Sequence, residues 1–396
     1  MRSARTTYAK RGKTMNSEVT TQISGKDVLK APETAVLVFI LTLTFKTCNL
    51  PSVIFSASGE SGIWAILIHT LLDGLLLGVS LFVASKGGIQ SKSIPTPIRK
   101  IGAFLLFFFF LFKFGAFIYE STDSASKVLF ENSLIFPIFA MVLIASAFIG
   151  SKGFSGIGRV ALIFAWISIF ILIFNLFFIG FDGFAYNLYP VLKFENVPKG
   201  ILKEAVWFGE PLILMTADLS PKFTKKQTGH VIISFALAVV ILEAFYLLMI
   251  YTYGEMSNSI TNAFARVLTM NKYSNELGAV DWPIITVWLI SAIIHTSCLF
   301  ASCKQCFIEV VEKKRKNTFL QELIFFVLAL GLPIIFYFTL FDNVTYTSIL
   351  GSTAVGITCL IFSYVIPLII AISAFVKKKN QKKDEKENEK EQNANS

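Results

Sequence analysis

The chain has 396 residues, of which 54% are hydrophobic, 16% are charged and 40 are phenylalanine. This apolar fraction exceeds that of a soluble globular domain, and apolar runs of about 20 residues, long enough to cross a bilayer, recur along the whole sequence. The composition therefore predicts one membrane domain. The net charge of +10 does not indicate a nucleic-acid partner, because Lys and Arg lie in blocks that flank the apolar runs, as membrane orientation signals do.

The N-terminal segment, residues 1–34, is polar and basic and is predicted to be cytosolic. No cleavable signal peptide is indicated, because the first apolar run begins at Ala35 and is too long for a signal h-region. This run is expected to remain as the first span. Met15 lies inside the polar segment, and the sequence leaves a start at Met1 or at Met15 open.

Apolar runs with polar punctuation predict ten transmembrane helices, here called spans 1 to 10. They cover residues 35–57, 62–84, 101–119, 128–150, 159–180, 201–217, 230–253, 283–303, 319–341 and 347–375. Residues 35–375 thus form the membrane domain. The tail, residues 376–396, is rich in charge and is predicted to be disordered. Between spans 7 and 8, the stretch SITNAFARVLTM predicts a short helix on the outer face.

The distribution of Lys and Arg supports this span count, since basic residues concentrate in cytosolic loops. With the N-terminus inside, the cytosolic segments contain Lys86, Lys92, Arg99, Lys100, Lys152, Arg159, Lys222, Lys225, Lys226, Lys304, the cluster at 313–316 and a lysine-rich tail. The outer loops contain Lys127, Lys193, Lys199, Arg266 and Lys272. Both termini are therefore predicted to be cytosolic. The five cysteines lie within spans or at their cytosolic ends, where reduced thiols are expected.

Ten spans divide into two halves of five, and an odd number per half places the halves in opposite orientation, as in transporters with inverted repeats. Such transporters bind substrate at the bilayer midplane, where the first helix of each half is interrupted. Span 1 carries Pro51, and span 6 carries Gly209 and Pro211, in the middle of their apolar runs. A kink for packing alone would explain one such proline, but two at equivalent places favour a binding site.

An ionisable residue near the middle of a span costs about 2.5 kcal/mol or more unless it is paired or hydrated. Lys46 in span 1 and Glu210 in span 6 occupy such positions and are expected to pair with each other. Lys113 lies nearer the predicted outer end of span 3, and its side chain is expected to extend to the membrane surface.

Four further residues at comparable depth are predicted to form a proton or ion-pair network: His69, Asp73, Glu243 and His295. His69 and Asp73 are four residues apart on one helical face, which fits a proton relay or a structural hydrogen bond equally well. For Glu243 an ion pair with a neighbouring helix is favoured over a transport role. For His295 a hydrogen-bonded interior histidine is favoured over a proton carrier.

No pattern for catalysis is present. The stretch CKQC, residues 303–306, has the spacing of half a zinc site, but no second Cys or His pair accompanies it in the predicted cytosolic segments. The sequence also lacks a nucleophile-base pattern and a phosphate-binding Gly loop. It therefore predicts neither an enzyme, nor a metal site, nor a bound cofactor.

Several stretches resemble one known family. The run LYPVLKFENVPKGILKEAVWFGEPLILM, with Phe208, Gly209 and Glu210, resembles the segment that enters the sixth span of the B-subunit family of bacterial spore germinant receptors. This family is a branch of the amino acid-polyamine-organocation permease superfamily. The runs YGEMSNSITNAFARVL and DWPIITVWLI are similar to the family's outer loop and eighth span, with Asp281 and Trp288 in the expected order.

The resemblance implies a LeuT-like fold of ten transmembrane helices, built as a five-plus-five inverted repeat with broken helices 1 and 6. It also implies residence in the inner membrane of the spore, association with an A-type subunit and a C-type lipoprotein subunit, and recognition of a small nutrient such as an amino acid. The implied ligand-binding residues are Lys46, Thr47, Cys48, Asn49, Pro51, Trp207, Phe208, Gly209, Glu210 and Pro211.

Two departures from the family pattern bear on this site. Superfamily relatives often carry glycine at the span 1 break, whereas this chain has KTCNLP, so Lys46 either replaces backbone amides as the partner of a ligand carboxylate or fills the site. Family members tend to carry a basic residue shortly before Asp281, where this chain has Ala279 and Val280. Three hypotheses remain: a germinant-sensing subunit, a proton-coupled amino acid or amine permease, and a scaffold subunit with a vestigial pocket.

Overall fold

The computed structural model describes residues 28–91, 93–129, 135–178, 185–188, 194, 196–217, 219, 225–260, 263, 281–311, 318–339 and 348–377. Within these residues the regular secondary structure is helical, apart from one isolated parallel bridge between Leu29 and Leu219. The N-terminal segment up to residue 27, the tail from residue 378 and most of the predicted outer helix lie outside the described residues.

Eleven helices are numbered here in chain order. They are α1 (Ala31–Leu43), α2 (Leu50–Ser58), α3 (Gly62–Ala84), α4 (Thr96–Leu129), α5 (Ile135–Ser151), α6 (Gly153–Phe178), α7 (Val197–Glu204), α8 (Lys225–Tyr253), α9 (Asp281–Val311), α10 (Thr318–Thr339) and α11 (Thr353–Lys377). Short 3-10 segments cover Gly59–Ser61, Ala205–Trp207, Glu210–Met215 and Gly254–Ser259, and α11 contains a π-helical segment at Ile361–Val365.

The long apolar helices make this an integral membrane protein of the all-α class. Among the described residues, six helices or continuous helical stretches are long and apolar enough to span a membrane. A further pair, α5 and α6, passes the same test together and is bent by 116° at Lys152. Helical residues lie within each of the ten predicted runs, and the number ten for the membrane crossings stays a prediction.

Both predicted interruptions are present. Span 1 is divided into α1 and α2 by a turn at residues 44–49, and span 6 is divided at Phe208 and Gly209. Each proline lies in the first turn of the segment after its break, where a missing N–H is tolerated. Pro51 and Pro211 therefore start the second segments of the two spans.

The two parts of span 1 pack against different neighbours. Helix α1 lies against α8 and α6, whereas α2 lies against α7 and the 3-10 segment Gly254–Ser259. The second part of span 1 and the first part of span 6 thus contact each other as α2 and α7. Helix α9 lies along α4, α5 and α6 and forms much of the remaining core. The turn at 44–49 joins two separately packed groups of helices.

Several helices differ from their predicted bounds. Helix α4 begins earlier than span 3 and continues ten residues past its predicted end at Tyr119. Helix α1 begins at Ala31, inside the segment predicted to be polar, basic and cytosolic, and α11 continues to Lys377, two residues into the predicted tail. All five cysteines are buried and free, as the sequence predicts for reduced thiols.

A close contact between α11 and α7 provides a test of this packing. A Cβ added at Gly356 would lie 2.0 Å from the carbonyl oxygen of Leu202, whereas one added at Gly331 meets nothing within 4 Å. We expect Gly356→Ala to lower the midpoint of thermal unfolding of the purified protein in detergent. Gly331→Ala serves as the helical control and should leave the midpoint unchanged or raise it, because Ala favours a helix over Gly by about 1 kcal/mol. Equal midpoints for the two variants would contradict the α7–α11 contact.

Candidate functional site: a buried charge network at two interrupted helices

The break in span 1 leaves backbone carbonyl groups that the rest of the protein satisfies. The carbonyl of Thr44 accepts a hydrogen bond from the indole Nε1 of Trp288 on α9, at 2.8 Å. The carbonyl of Cys48 accepts one from the backbone N–H of Ala263, at 2.9 Å. Because hydrocarbon offers no hydrogen-bond partner, such contacts allow a non-helical turn to exist within a membrane domain.

The break in span 6 depends on the conformation of Gly209. Its φ of 89° lies in the left-handed region, which favours glycine. The backbone N–H of Gly209 donates to Oδ1 of Asp73 on α3, at 2.9 Å. The carbonyl of Phe208 accepts from Nζ of Lys113 on α4, at 2.8 Å. Two charged side chains thus satisfy the backbone groups that the break exposes.

Glu210 is the centre of a buried charge network. One carboxylate oxygen pairs with Nζ of Lys46 in the span 1 break, and the other accepts from Nζ of Lys113 at 2.8 Å. Nζ of Lys46 also lies 3.7 Å from Oδ2 of Asp73. Each of these four side chains is at most 2% exposed. The predicted pairing of Lys46 with Glu210 is therefore present.

The network is electrically balanced, with two lysines and two carboxylates. Balance matters here because an uncompensated ion inside a low-dielectric region costs several kcal/mol. The four side chains come from the span 1 break, α3, α4 and the span 6 break. Their attraction therefore joins both interrupted helices to the two continuous helices beside them.

The π-helical segment of α11 forms one side of this site. The hydroxyl of Tyr364 donates to Oδ1 of Asp73 at 2.8 Å. A Cβ added at Gly209 would lie 2.3 Å from Oγ of Ser363, so the π segment lies directly against the break. The Oγ atom of Ser363 is buried and has no hydrogen-bond partner among the described residues. π-helical turns occur frequently at functional sites.

Glu120 on α4 connects the two breaks on another side. Its carboxylate accepts from Nε1 of Trp207, with a shorter distance of 3.0 Å, and also hydrogen bonds with the backbone and the side chain of Asn49. Cys48 contacts the hydroxyl of Ser124 on the same helix, with Sγ and Oγ 2.9 Å apart. Glu120 is fully buried. Residues of both breaks therefore hydrogen bond to α4.

The ring of Phe208 lies between the charge network and a histidine. Nζ of Lys46 is 4.7 Å from the centroid of this ring. The imidazole of His69 stacks on the same ring with the centroids 4.5 Å apart. Nδ1 of His69 pairs with Oε1 of Glu204 at the end of α7. His69 is thus a partner of Glu204, and Asp73, on the same face of α3, belongs to the central network.

All ten residues predicted to bind ligand lie at the two breaks and are buried. They contribute to the site in different ways. Oγ1 of Thr47 donates to the carbonyl of Thr44, so it stabilises the turn, and Asn49 contacts Glu120. The two prolines act through the backbone, as described above. Whether these residues bind a ligand stays a prediction.

Three expectations from the sequence are wrong. Lys113 does not extend to the surface but is 1% exposed and paired with Glu210, because α4 continues to Leu129 and so places Lys113 near its middle. Glu243 forms no ion pair with any described residue, since both of its oxygens are shielded and lack a hydrogen-bond partner there. His295 is fully buried, but neither ring nitrogen has a partner within the part of the chain that the structure describes.

The imidazole of His295 lies among aromatic rings beside the network. It meets Phe45 and Phe117 edge to face, with centroids 4.9 and 5.3 Å away. The charges of Glu210, Lys113 and Lys46 act on it electrostatically. A buried polar group without a partner is uncommon, and such a group often marks a place where a ligand or a water molecule binds.

Four further residues of the site were not predicted from the sequence: Glu120, Glu204, Ser363 and Tyr364. Glu204 lies one turn before the break of span 6, and a carboxylate in an apolar run is itself a signal of function. The same reasoning applies to Glu120, which lies one residue beyond the predicted end of span 3. Nothing in the local sequence distinguishes Ser363 and Tyr364, because the π-helical turn that presents them arises from tertiary packing.

No protein-family model matches the chain, and no curated protein matches it. Solved structures do match. The manganese transporter of Eremococcus coleocola matches as a mutant with a TM-score of 0.53 and 12% identity, over 89% of this chain and 86% of that chain. The same transporter in complex with an aromatic bis-isothiourea substituted compound matches with a TM-score of 0.50 and 10% identity, over the same shares of the two chains.

A nucleobase-cation-symport-1 family transporter, in a closed conformation with bromovinylhydantoin bound, matches with a TM-score of 0.42 and 12% identity, over 89% of this chain and 93% of that chain. The two matches to the manganese transporter show that this chain has the fold of a membrane transporter. At such identities they show the fold alone. Among the residues described here, no group of three or more His, Cys, Asp or Glu side chains is arranged to hold a metal ion.

The balance of the charge network can be tested by changing it. Lys113→Met leaves two carboxylates with one lysine, and we expect it to destabilise the protein by about 3 to 5 kcal/mol, the cost of a broken buried ion pair. The double variant Lys113→Met/Glu210→Gln restores neutrality and should regain part of this loss. The measurement is the free energy of unfolding of the purified protein in detergent, without ligand.

Lys127→Met on the same helix is the matched control. Lys127 pairs with Asp123 one turn away and is partly exposed, so its loss should cost less than about 1 kcal/mol. A double variant less stable than Lys113→Met would show that Glu210 is not the group that Lys113 neutralises.

Proposed function

We propose that this protein is the membrane subunit of a spore germinant receptor, and that it binds a small zwitterionic nutrient, such as an amino acid, at the breaks of spans 1 and 6. The observation that carries the proposal is the neutral network in which Glu210 is held by Lys46 and Lys113. A zwitterion carries one positive and one negative group, so it can exchange partners with this network without leaving a net charge buried.

The exchange assigns a role to each charged side chain. The carboxylate of the ligand would bind Lys46, and its ammonium group would bind Glu210, which keeps Lys113 as a second partner. The Lys46–Glu210 contact would be replaced, and the two breaks it joins would be free to separate or approach. A ligand shifts the equilibrium between two arrangements of the breaks only if it binds one of them more tightly than the other. Here the two arrangements differ in the Lys46–Glu210 contact, which the ligand-bound arrangement lacks.

His295 and the aromatic residues around it would contact the side chain of the ligand. Phe45 and Phe117 flank the imidazole, and Trp288 packs edge to face against Phe45. Neither ring nitrogen of His295 has a partner among the described residues. The imidazole is therefore available to a polar group on the side chain of the ligand. This environment fits a ligand side chain that is apolar over most of its length and carries one hydrogen-bonding group.

The remaining features of the proposal rest on the resemblance to the germinant receptor B subunits. It places the chain in the inner membrane of the spore, with ten spans in a five-plus-five inverted repeat, both termini cytosolic, and A-type and C-type subunits as partners. In this assembly the rearrangement of spans 1 and 6 would be transmitted to the partner subunits. The direct pairing of Lys46 with Glu210, which a ligand must break, favours sensing over rapid transport.

A proton-coupled amino acid or amine permease is the second candidate. It is favoured by the transporter fold and by Glu243, a carboxyl group with no partner among the described residues of the membrane domain. The two functions share a fold and a binding site, so they are separated by what the ligand does after it binds.

Deletion of the gene separates the two candidates. Dormant spores and growing cells of the deletion strain are exposed to an amino acid panel, with dipicolinate release measured for the spores and uptake of labelled amino acid for the cells. Loss of release for particular nutrients with normal uptake is expected for the receptor. Normal release with lost uptake would overturn the receptor proposal in favour of the permease.

Glu210→Gln tests the site within the receptor proposal. The amide cannot balance the ammonium group of a ligand, and we expect the dose response for release to move to higher ligand concentration by roughly tenfold or more. Glu322→Gln, a change at an exposed carboxyl on α10, is the control and should leave the response unchanged. Variant protein is quantified in spore membranes by immunoblot, so that a loss of abundance is distinguished from a loss of response. An unchanged response in Glu210→Gln at normal abundance would support the scaffold hypothesis and contradict the proposed site.

A further inference from the structure

A second cluster of titratable residues lies between α3, α7 and α8, outside the central network. It consists of His69, Glu204 and Glu243. His69 and Glu204 are fully buried, and both carboxylate oxygens of Glu243 are shielded although part of its side chain is exposed. The central network does not use any of these three residues.

Four polar atoms of this cluster have no hydrogen-bond partner in the described part of the chain: Nε2 of His69, Oε2 of Glu204, and both oxygens of Glu243. Within the cluster, Nδ1 of His69 contacts Oε1 of Glu204. Buried carboxylate oxygens without partners are costly when ionised, because neither water nor a donor stabilises the charge. When its carboxylates are ionised, the cluster therefore lacks the positive charge that would neutralise them.

The charges that face the cluster do not supply that neutralisation. The cations that act on Glu204 are His69 and, at longer range, Lys46, which already pairs with Glu210. Glu243 interacts with Glu204, and the two carboxylates repel each other. The other titratable groups that interact with the cluster, among the residues that the structure describes, are neutral or acidic: Tyr246 on α8, Glu60 beside α3, Asp73 on α3 and Tyr364 on α11.

We propose that His69, Glu204 and Glu243 form a proton-binding site that holds two protons, one shared between Nδ1 of His69 and Oε1 of Glu204 and one on the carboxyl of Glu243. With both protons bound, the cluster has no net charge. A proton fits better than a metal ion, because no group of three such side chains among the described residues is arranged to hold one. The site is distinct from the proposed ligand site and does not depend on the ligand.

The shared proton connects the outer part of span 6 to α3. Glu204 is the last residue of α7, and its pairing with His69 is a charged contact between α7 and α3. When both protons leave, the carboxylates of Glu204 and Glu243 face each other without a counter-charge, and repulsion together with the need for water favours separation of α7 from α3. His69 also stacks on Phe208, so the same step reaches the break of span 6. Proton release would thus free the outer part of this span.

Infrared spectroscopy of the purified protein, without ligand, tests the protonation directly. Ordinary carboxyl groups are ionised at about pH 7, so a C=O stretching band of a protonated carboxyl at that pH identifies a residue such as Glu243. We expect this absorption in the unmodified protein, shifted by exchange into D2O, and a lower intensity in Glu243→Gln, because other buried carboxyl groups, such as that of Glu120, absorb in the same region when they are protonated. Glu60→Gln changes a carboxyl near the same cluster and should leave the intensity unchanged. Absence of the absorption from the unmodified protein, or an equal intensity in Glu243→Gln, would overturn the proposal.

The dependence of stability on pH provides a second, independent measurement. A carboxyl that is protonated in the folded protein and ionised in the unfolded chain stabilises the folded state at low pH, and this contribution is lost as pH rises. The folding equilibrium constant then falls about tenfold per pH unit for each proton that the folded protein holds and the unfolded chain has released. In the unmodified protein we expect the fall caused by Glu243 to begin above about pH 4.3, the pKa of an ordinary glutamate, and the fall caused by the His69–Glu204 pair to begin above about pH 6.5, the pKa of an ordinary histidine. The slope should be smaller in Glu243→Gln and in Glu204→Gln. Equal slopes in all three proteins, or stabilisation by sodium in place of protons, would contradict the site.

Because both measurements use ligand-free protein, their failure leaves the proposed receptor function untouched. Conversely, a germination experiment that fails would not remove the proton site. The two proposals are thus tested separately.

Discussion

The paired contact of Glu210 with Lys46 and Lys113 is the interaction on which the centre of this protein depends. Interrupting a membrane helix exposes backbone groups that lipid cannot satisfy, and here charged side chains satisfy them: Lys113 binds the carbonyl of Phe208, and Asp73 binds the amide of Gly209. Those side chains are themselves stable in the interior only because their charges cancel. The helix breaks and the ion network therefore require each other.

This mutual requirement explains the arrangement of the surrounding helices. The continuous helix α4 supplies both Lys113 and Glu120, which contact the breaks on two sides. Helix α3 supplies Asp73 to the central network and His69 to the second cluster, where it pairs with Glu204. The sides of α3 and α4 that face the breaks are polar at these positions although both helices consist mostly of apolar residues. Each helix therefore supports groups that the interrupted spans cannot position alone.

Much of this organisation could be predicted from the sequence, and the exceptions have physical reasons. The breaks at Pro51 and Gly209 and the Lys46–Glu210 pair follow from composition, because a membrane helix rarely accommodates a proline or a charge in its middle without a break or an ionic partner. The predicted position of Lys113 is wrong because the end of an apolar run does not mark the end of α4. The roles of Tyr364 and Ser363 depend on a π-helical turn, which has no local signal. A hydrogen-bonded His295 is predicted because most buried histidines have a hydrogen-bond partner. The phenylalanines that surround this histidine instead can be recognised only in the fold.

The separate packing of the two parts of span 1 has a mechanical consequence. Helix α1 is packed against α8 and α6, and α2 is packed against α7, so any rotation of one group relative to the other would bend the chain at the turn at 44–49. The 13 residues of α1 give an arm of about 20 Å, and a rotation of about 10° at the turn displaces its far end by about 3 Å. In the proposed exchange of partners at Lys46, a small change of angle at this turn would therefore become a larger displacement at the far end of α1.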